Sequence, residues 1–390
     1  MKYVIVLGDG MADYPLDELK GKTPLEYAKT PMMDKLAEKA EIGQVHTIPS
    51  GMKPGSDTAN LSVIGYDPKK YYTGRSPLEA LSIGVPMKDT DVAIRCNIVT
   101  VSDEEKEYKK KKMIDHSAGE ISTEDADILI QAVQKELGNE MFHFYTGTSY
   151  RHLLILTKTI GNYLPEEDLL AQMMEKSYDI LNAHPINVAR EKAGLHKANS
   201  IWFWGAGTKP ALSAFEEKTG KKGVMISAVD LLKGIAVGAG LKNIIVEGAD
   251  GTLETNYEGK AQAAVDALVQ DGYDFAYIHV EAPDEMGHQG SMERKIKAIE
   301  YLDERVIKKV KEGMDASGED YRILVLPDHP TPIALRTHTS DPVPFLLYDN
   351  RANGSRMWHY NEREAAASGL VMPSGAALME YFLDENTLYN

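Results

Sequence analysis

Phe275-Ala276-Tyr277-Ile278-His279-Val280 is an apolar run broken by one imidazole, and it leads directly into Glu281-Ala282-Pro283-Asp284-Glu285-Met286-Gly287-His288. A short, nearly continuous apolar run ending in a proline-containing turn reads as a strand buried on both faces. Asp284 and His288 then arrive at the strand's carboxyl end. Two other stretches repeat this arrangement. Tyr3-Val4-Ile5-Val6-Leu7 leads through Gly8 to Asp9, and Arg322-Ile323-Leu324-Val325-Leu326 leads through Pro327 to Asp328-His329. His338, in Arg336-Thr337-His338-Thr339, adds a third imidazole. Ligands of open parallel sheets bind outside the carboxyl ends of the strands. Three carboxylates and three imidazoles converging there suit two divalent ions of the Mn or Zn type. A lone Asp after a strand commonly caps a helix, so the weight lies in the recurrence after three separate strands. His279, inside its strand, reads as a hydrogen-bonded core histidine or a support for a ligand.

Further candidate strands are Ile201–Trp204, Gly223–Ile226, Asn243–Val246 and Pro344–Leu347. Between them lie amphipathic stretches: a helix opening at Thr30-Pro31 and running to Ala37, one over Gly259–Gln270, and one over Met292–Lys311. Proline at the first helical position and apolar residues at helical spacing support these assignments. Alternating strands and helices predict an α/β protein with a mostly parallel sheet. From about Asp89 to His196 the texture changes to a charged hairpin-like stretch, an acidic helix, the segments Phe142–Tyr145 and Tyr150–Leu156, and a helix from Glu166. This reads as one α/β domain interrupted by a smaller one. The run Lys109–Lys112 follows several acids and reads as a solvated turn rather than a polyanion site.

The chain has 390 residues, which predicts two or three domains. Against 43 Lys and Arg stand 59 Asp and Glu, a net charge of −16 that disfavours nucleic acid and anionic membranes as partners while leaving room for a local cationic pocket. Cys96 is the single cysteine, which excludes an intrachain disulfide and multi-cysteine metal sites. It lies in the apolar run Val92–Val99 and reads as a buried small hydrophobe. The first apolar run is too short for a signal-peptide core, and no window approaches the ~20 apolar residues of a membrane span. A soluble, cytoplasmic protein is expected.

A second signal is Pro54-Gly55-Ser56-Asp57-Thr58-Ala59-Asn60-Leu61, glycine then serine at a helix start. Backbone N–H groups at such a position favour an anion, including a phosphoryl group on Ser56. Taken alone, Ser56 reads more simply as a helix cap. Next to two metals it becomes a nucleophile, since a metal can help to deprotonate the hydroxyl.

The order Asp9, Ser56, Asp284-x-x-x-His288, Asp328-His329, His338 resembles the alkaline phosphatase superfamily, and within it the shorter, archaeal type of cofactor-independent phosphoglycerate mutase. Supporting segments are Gly8–Met11, Gly55–Asp57 through Gly65–Pro68, Pro283–His288 and His338–Pro344. The resemblance covers nearly the whole chain. It implies an alkaline-phosphatase-like, mostly parallel sheet sandwiched by helices, split as 1–88 plus 198–390, with 89–197 as an inserted α+β substrate-binding domain that closes around substrate. It implies Asp284, His288 and His338 on one metal, and Asp9, Ser56, Asp328 and His329 on the other. Mn²⁺ is the expected ion, with Zn²⁺, Co²⁺ and Mg²⁺ as alternatives, and Ser56 is the expected nucleophile. The implied reaction is the interconversion of 3-phosphoglycerate and 2-phosphoglycerate.

A substrate with a phosphate and a carboxylate calls for basic residues, for which Arg95, Arg151, Lys233 and His116 are the candidates. Asn60 stands where the longer mutases carry a histidine, four residues after the nucleophile. A homoserine kinase-like phosphotransferase, a metal-dependent phosphomonoesterase and a non-catalytic metabolite sensor are the alternative readings. The chain has no Gly-x-x-x-x-Gly-Lys-Ser/Thr loop, which weakens a nucleotide-dependent reaction. The sequence leaves the oligomeric state open.

Overall fold

The structure, a computed structural model, describes residues 1–157, 167–353 and 357–385. It divides into two compact units, Met1–Tyr72 with Leu212–Asn390, and Thr73–Ala211. The first unit begins with β1 (Lys2–Gly8) and β2 (Glu41–Val45). The second holds β3 (Val92–Val101), β4 (Met113–Asp115), β5 (Phe142–Tyr145), β6 (Arg151–Leu156) and β7 (Ser200–Thr208). The chain then returns to the first unit for β8 (Gly223–Ile226), β9 (Lys242–Asn243), β10 (Phe275–Val280), β11 (Tyr321–Leu326), β12 (Val343–Asp349) and β13 (Val371–Met372).

The first unit is built on an eight-stranded sheet in the order β13-β2-β12-β11-β1-β10-β8-β9. β12 runs antiparallel to both its neighbours, and every other pairing is parallel. Side chains alternate between two covered faces, which is why the strands read as unbroken apolar runs. Val4, Val6, Ala276, Ile278, Ile323 and Val325 pack on one face against helices Pro31–Ala37 and Tyr257–Val269 and the long helical stretch beginning at Met292. On the other face Tyr3 meets Phe382 of helix Gly375–Leu383 edge-on at 5.4 Å. There too Phe275 lies 4.7 Å from Phe215. Leu7 pairs with His279, so Asp9 and His279 emerge on that second face.

The second unit is a smaller α+β body. β3 is its central strand, antiparallel to β6 and β7 and, at its end, to β4, while β5 pairs with β6. Helices Thr123–Leu137 and Glu167–Leu181 cover one face; Glu166, where the second was expected to begin, lies outside the described residues. Cys96 is fully buried on β3, and burial pushes its thiol far above the ordinary range. Lys110 pairs with Glu107, and Lys111 donates to the carbonyls of Ser102 and Glu105, so this basic run closes a local turn.

Three expectations need correction. Ile201–Trp204 was assigned to the parallel sheet, but β7 pairs antiparallel with β3 in the second unit. Residues 73–88 and 198–211 fold with that unit as well, because β7 belongs to its sheet and Ala80 of helix Arg75–Ser82 packs on Ala93, Leu153 and Ile155. Only Lys242–Asn243 pairs where Asn243–Val246 was expected, and the chain then leaves the sheet with Ile245 exposed. Among the described residues no helix is long and apolar enough to cross a membrane.

A π-helical segment, Leu302–Ile307, interrupts the long helix between Met292–Tyr301 and Lys308–Ser317. It carries Asp303, whose carboxylate accepts the N–H groups of Met32 and Met33 at 3.0 and 2.6 Å. Burial nevertheless pushes this carboxyl up to about 6, outweighing the two N–H groups. The folded-state value lies above the unfolded one. Asp303 therefore favours folding fully below about pH 4, and that contribution is lost as pH rises through about 6. Asp303→Asn keeps one acceptor and does not ionise. Thermal melts should show the variant gaining on wild type by about 2 kcal/mol between about pH 4.5 and about pH 7. An offset that does not change with pH would disprove the assignment.

Candidate active site

The sheet's geometry assembles a cup of polar side chains in the first unit. β1, β10 and β11 are adjacent and parallel, so their carboxyl ends lie side by side. Asp9 follows β1, its N–H held by the Val280 carbonyl at 2.9 Å. After β10, Pro283 helps to start helix Ala282–His288, which places Asp284 and His288 one turn apart on one face. After β11, Asp328 accepts the N–H groups of Gly10 and His329 on one oxygen and the Asn60 amide on the other, at 2.9–3.0 Å.

Ser56 is the first residue of helix Ser56–Val63, with Gly55 as the cap and no side-chain capping bond. Its hydroxyl lies 3.1 Å from His329 Nε2 instead. The same nitrogen is 3.4 Å from Asp328 Oδ2 and 3.6 Å from Asp9 Oδ1. Asp284 reaches His288 Nε2 with one oxygen and His338 Nε2 with the other, both at 3.3 Å, and the two ring nitrogens are 2.9 Å apart. The rings of His329 and His338 stack at 3.9 Å.

These residues form two groups whose ligand atoms converge: Asp284, His288 and His338, and Asp9, Asp284 and His329. Ser56 and Asp328 adjoin the second. His288 Nδ1–H donates to the Arg336 carbonyl at 3.0 Å, which turns its Nε2 toward His338 and Asp284. Two nitrogens facing one another beside a carboxylate attract positive charge, and hydrogen bonding to Asp284 duly raises His288 to about 9. Burial opposes ionisation of Asp284, but the imidazoles of His288 and His338 outweigh it and hold its carboxyl well below the usual range.

Asp9 is the reverse case. Burial, reinforced by Asp328 and Asp284, pushes its carboxyl well above the usual range. Its Oδ2 accepts a hydrogen bond from His279 Nε2–H at 2.9 Å, whereas Oδ1 is fully buried with no partner. An orphaned carboxylate oxygen among further acids and a ring nitrogen is a fit for a divalent cation. Burial holds His279 neutral, its value drawn down to about 3, and Ser227 lies 3.3 Å from its other nitrogen.

The four substrate candidates fall elsewhere. Arg95, Arg151 and His116 belong to the second unit and Lys233 to the first. Arg95 is 4 % exposed, ion-paired with Glu79, bonded to Asn97 and stacked on Trp204, so its guanidinium is already committed. Arg151 is exposed at the start of β6, over the Tyr150 ring at 4.2 Å, with His116 edge-on to that ring. Lys233 Nζ donates to Asp230 Oδ1 at 3.1 Å.

Several participants escaped sequence reasoning. Asn60 donates to the Ser56 carbonyl and to Asp328 while accepting from Tyr277, and its four-residue spacing from Ser56 was the available signal. Lys295 is fully buried and donates to Asp13, Ala12 and Thr331, tying together the loops after β1 and β11. Nothing in its helical neighbourhood marks it.

A serine at a helix start, set against a cup of carboxylates and imidazoles at the ends of parallel strands, is the layout of a metal-dependent phosphoryl-transfer enzyme. Residues 37–187 match the family model described as 2,3-bisphosphoglycerate-independent phosphoglycerate mutase. The Methanosarcina barkeri protein of that name is 48 % identical over 95 % of this chain and 96 % of its own length. A Geobacter sulfurreducens protein described as a probable enzyme of the same name is 47 % identical over 98 % of this chain and all of its own. Among solved structures, a Pyrococcus horikoshii protein superposes with a TM-score of 0.85 at 32 % identity, covering 98 % of this chain and 96 % of its own. The cofactor-independent phosphoglycerate mutase of Thermoplasma acidophilum gives 0.67 at 26 % identity, covering 98 % and 99 %. The chain belongs to the 2,3-bisphosphoglycerate-independent phosphoglycerate mutase family.

Gly10 shows how closely the cup is packed. Its φ of +59° is a conformation side chains rarely adopt, and a Cβ there would come within 2.5 Å of Asp284 Oδ1 and Thr331 Oγ1. Gly10→Ala should cost on the order of 1–3 kcal/mol in backbone strain alone and displace Asp284. Thermal melting and metal titration should both register it; a variant with wild-type metal affinity would show that Asp284 needs no such clearance.

Proposed function

We propose that this protein interconverts 3-phosphoglycerate and 2-phosphoglycerate through a phosphoserine on Ser56, without a bisphosphoglycerate cofactor. The observation carrying this is the Ser56 hydroxyl, 3.1 Å from His329 Nε2 inside the donor cup. Ser56 Oγ attacks phosphorus as the bond from phosphorus to the glycerate oxygen breaks. The proton given up by Oγ ends on that glycerate oxygen. The glycerate stays bound and reorients, its other hydroxyl attacks the phosphoserine, and its proton returns to Oγ. Atoms balance without water. The N–H groups at the start of helix Ser56–Val63 face the incoming anion.

Asp284, His288 and His338 would hold one divalent cation, and Asp9, Ser56, Asp328 and His329 the other. Such ions supply neutralisation of the phosphoryl oxygens and a lowered pKa for the serine hydroxyl. Mixed carboxylate and imidazole donors suit Mn²⁺, with Zn²⁺ or Co²⁺ as substitutes. The cytoplasm, as the compartment of glycolysis and gluconeogenesis, is the proposed location.

The test is turnover of 3-phosphoglycerate with Mn²⁺ and no bisphosphoglycerate, beside ATP plus homoserine. We expect mutase turnover that excess EDTA abolishes and Mn²⁺ restores, and phosphate on Ser56 by mass spectrometry. Ser56→Ala should lose transfer while keeping the fold and most of the metal. Near-normal turnover in that variant would refute the covalent route, and homoserine phosphorylation without mutase activity would replace this reading.

For the second unit we propose recognition of the substrate's anionic groups, with Arg151 and His116 as the accessible basic residues. A charge-assisted contact is worth about 1.5–3 kcal/mol, so Arg151→Ala should lose roughly 10–100-fold in mutase kcat/KM. Phosphate release should rise relative to transfer, because water competes with a poorly held acceptor, while Ser56 is still phosphorylated. Unchanged transfer and unchanged phosphate release would make Arg151 an ordinary surface charge.

A further inference from the structure

The Thr331 hydroxyl sits between the two ligand groups, and nothing in the reaction described above uses it. Thr331 is fully buried in Asp328-His329-Pro330-Thr331-Pro332, between two prolines that limit the local backbone. Its Oγ1 lies 2.5 Å from Asp284 Oδ1 and 3.3 Å from His329 Nδ1. Asp284 belongs to both convergent groups, and His329 to the one beside Ser56. The threonine is fixed in turn through its backbone. Its N–H donates to the Ala12 carbonyl at 3.2 Å, and its carbonyl accepts from the buried Lys295 ammonium at 2.8 Å.

A hydroxyl has one proton to give. An ionised carboxylate can only accept, so the Thr331 proton goes to Asp284. Toward His329 the same oxygen can then only accept, which requires the proton of the neutral imidazole to be on Nδ1. The lone pair is thereby left on Nε2, the atom facing Ser56, Asp328 and Asp9 at 3.1, 3.4 and 3.6 Å. We propose that Thr331 is a positioning residue that fixes the His329 tautomer and the Asp284 orientation together, so that the donor atoms of both cation positions are preset by one hydroxyl. This rests on the two-cation reading of the cup, and it predicts that losing the hydroxyl weakens both positions.

The experiment compares Thr331→Val, nearly isosteric but without the hydroxyl, with Thr331→Ser, which restores it. Chelator-stripped proteins are titrated with Mn²⁺, following free ion by electron paramagnetic resonance. The Val variant should bind both ions about 10–100-fold more weakly, the usual effect of removing a partner of a ligand, whereas the Ser variant should stay close to wild type. In metal-free protein with ¹⁵N-labelled histidine, NMR should place the His329 proton on Nδ1 in wild type and the Ser variant. In the Val variant it should move to Nε2. Unchanged Mn²⁺ affinity in the Val variant, or an unchanged His329 tautomer, overturns the proposal. If wild type neither binds Mn²⁺ nor turns over phosphoglycerate, the functional reading fails instead, and the tautomer measurement still decides the role of Thr331. Should the Val variant not fold, Thr331→Ala takes its place in both measurements.

Discussion

Asp9, Asp284 and Asp328 are each at most 6 % exposed and converge on a single cup. Like charges a few ångströms apart repel by roughly 4 kcal/mol at the effective dielectric of a protein. The fold must offset that repulsion or neutralise the groups. It meets each carboxylate differently. Asp328 is surrounded by N–H donors from Gly10, His329 and Asn60. Asp284 lies between two imidazoles. Asp9 receives one hydrogen bond from His279 and is otherwise uncompensated. The parallel register of β1, β10 and β11, the glycine at position 10 and the buried Lys295 that ties two of the loops all serve to keep these groups close.

The part of this arrangement legible in the sequence is the part tied to strand ends. Asp9, Asp284, His288, Asp328 and His329 each follow a short apolar run that reads as a buried strand. A parallel sheet sets such ends along one edge, and the order β11-β1-β10 makes these three neighbours. Thr331, Lys295 and the clearance at Gly10 were not legible, because each acts through a partner on another strand or loop. Those contacts depend on sheet order and register, which local pattern does not encode. The same limit explains Ile201–Trp204. An apolar run looks alike in a parallel and an antiparallel sheet, and only its pairing with β3 shows which one it joined.

The second unit sharpens the point for charged residues. In the sequence Arg95 and Arg151 are equivalent, each lying in or beside an apolar run. In the structure β3 is buried along its whole length, so Arg95 is paired internally with Glu79, whereas Arg151 opens β6 at the surface. Burying an arginine unpaired would be costly, and the chain supplies the acid from a helix upstream. Burial, which composition cannot supply, separates the structural arginine from the accessible one.

The unequal treatment of the three carboxylates also locates the chemistry. Where a carboxylate already accepts N–H donors, as at Asp328, an additional cation gains less by approaching it. Where an oxygen is buried and unpartnered, as at Asp9 Oδ1, the gain is greatest. That oxygen and the Ser56 hydroxyl both lie within 3.6 Å of His329 Nε2. The strongest unmet demand for positive charge is therefore close to the Ser56 hydroxyl. In the mechanism proposed above, that demand falls where a phosphoryl group on Ser56 would carry its negative charge. The fold places that demand at the first turn of helix Ser56–Val63, where the backbone dipole has the same sign of preference.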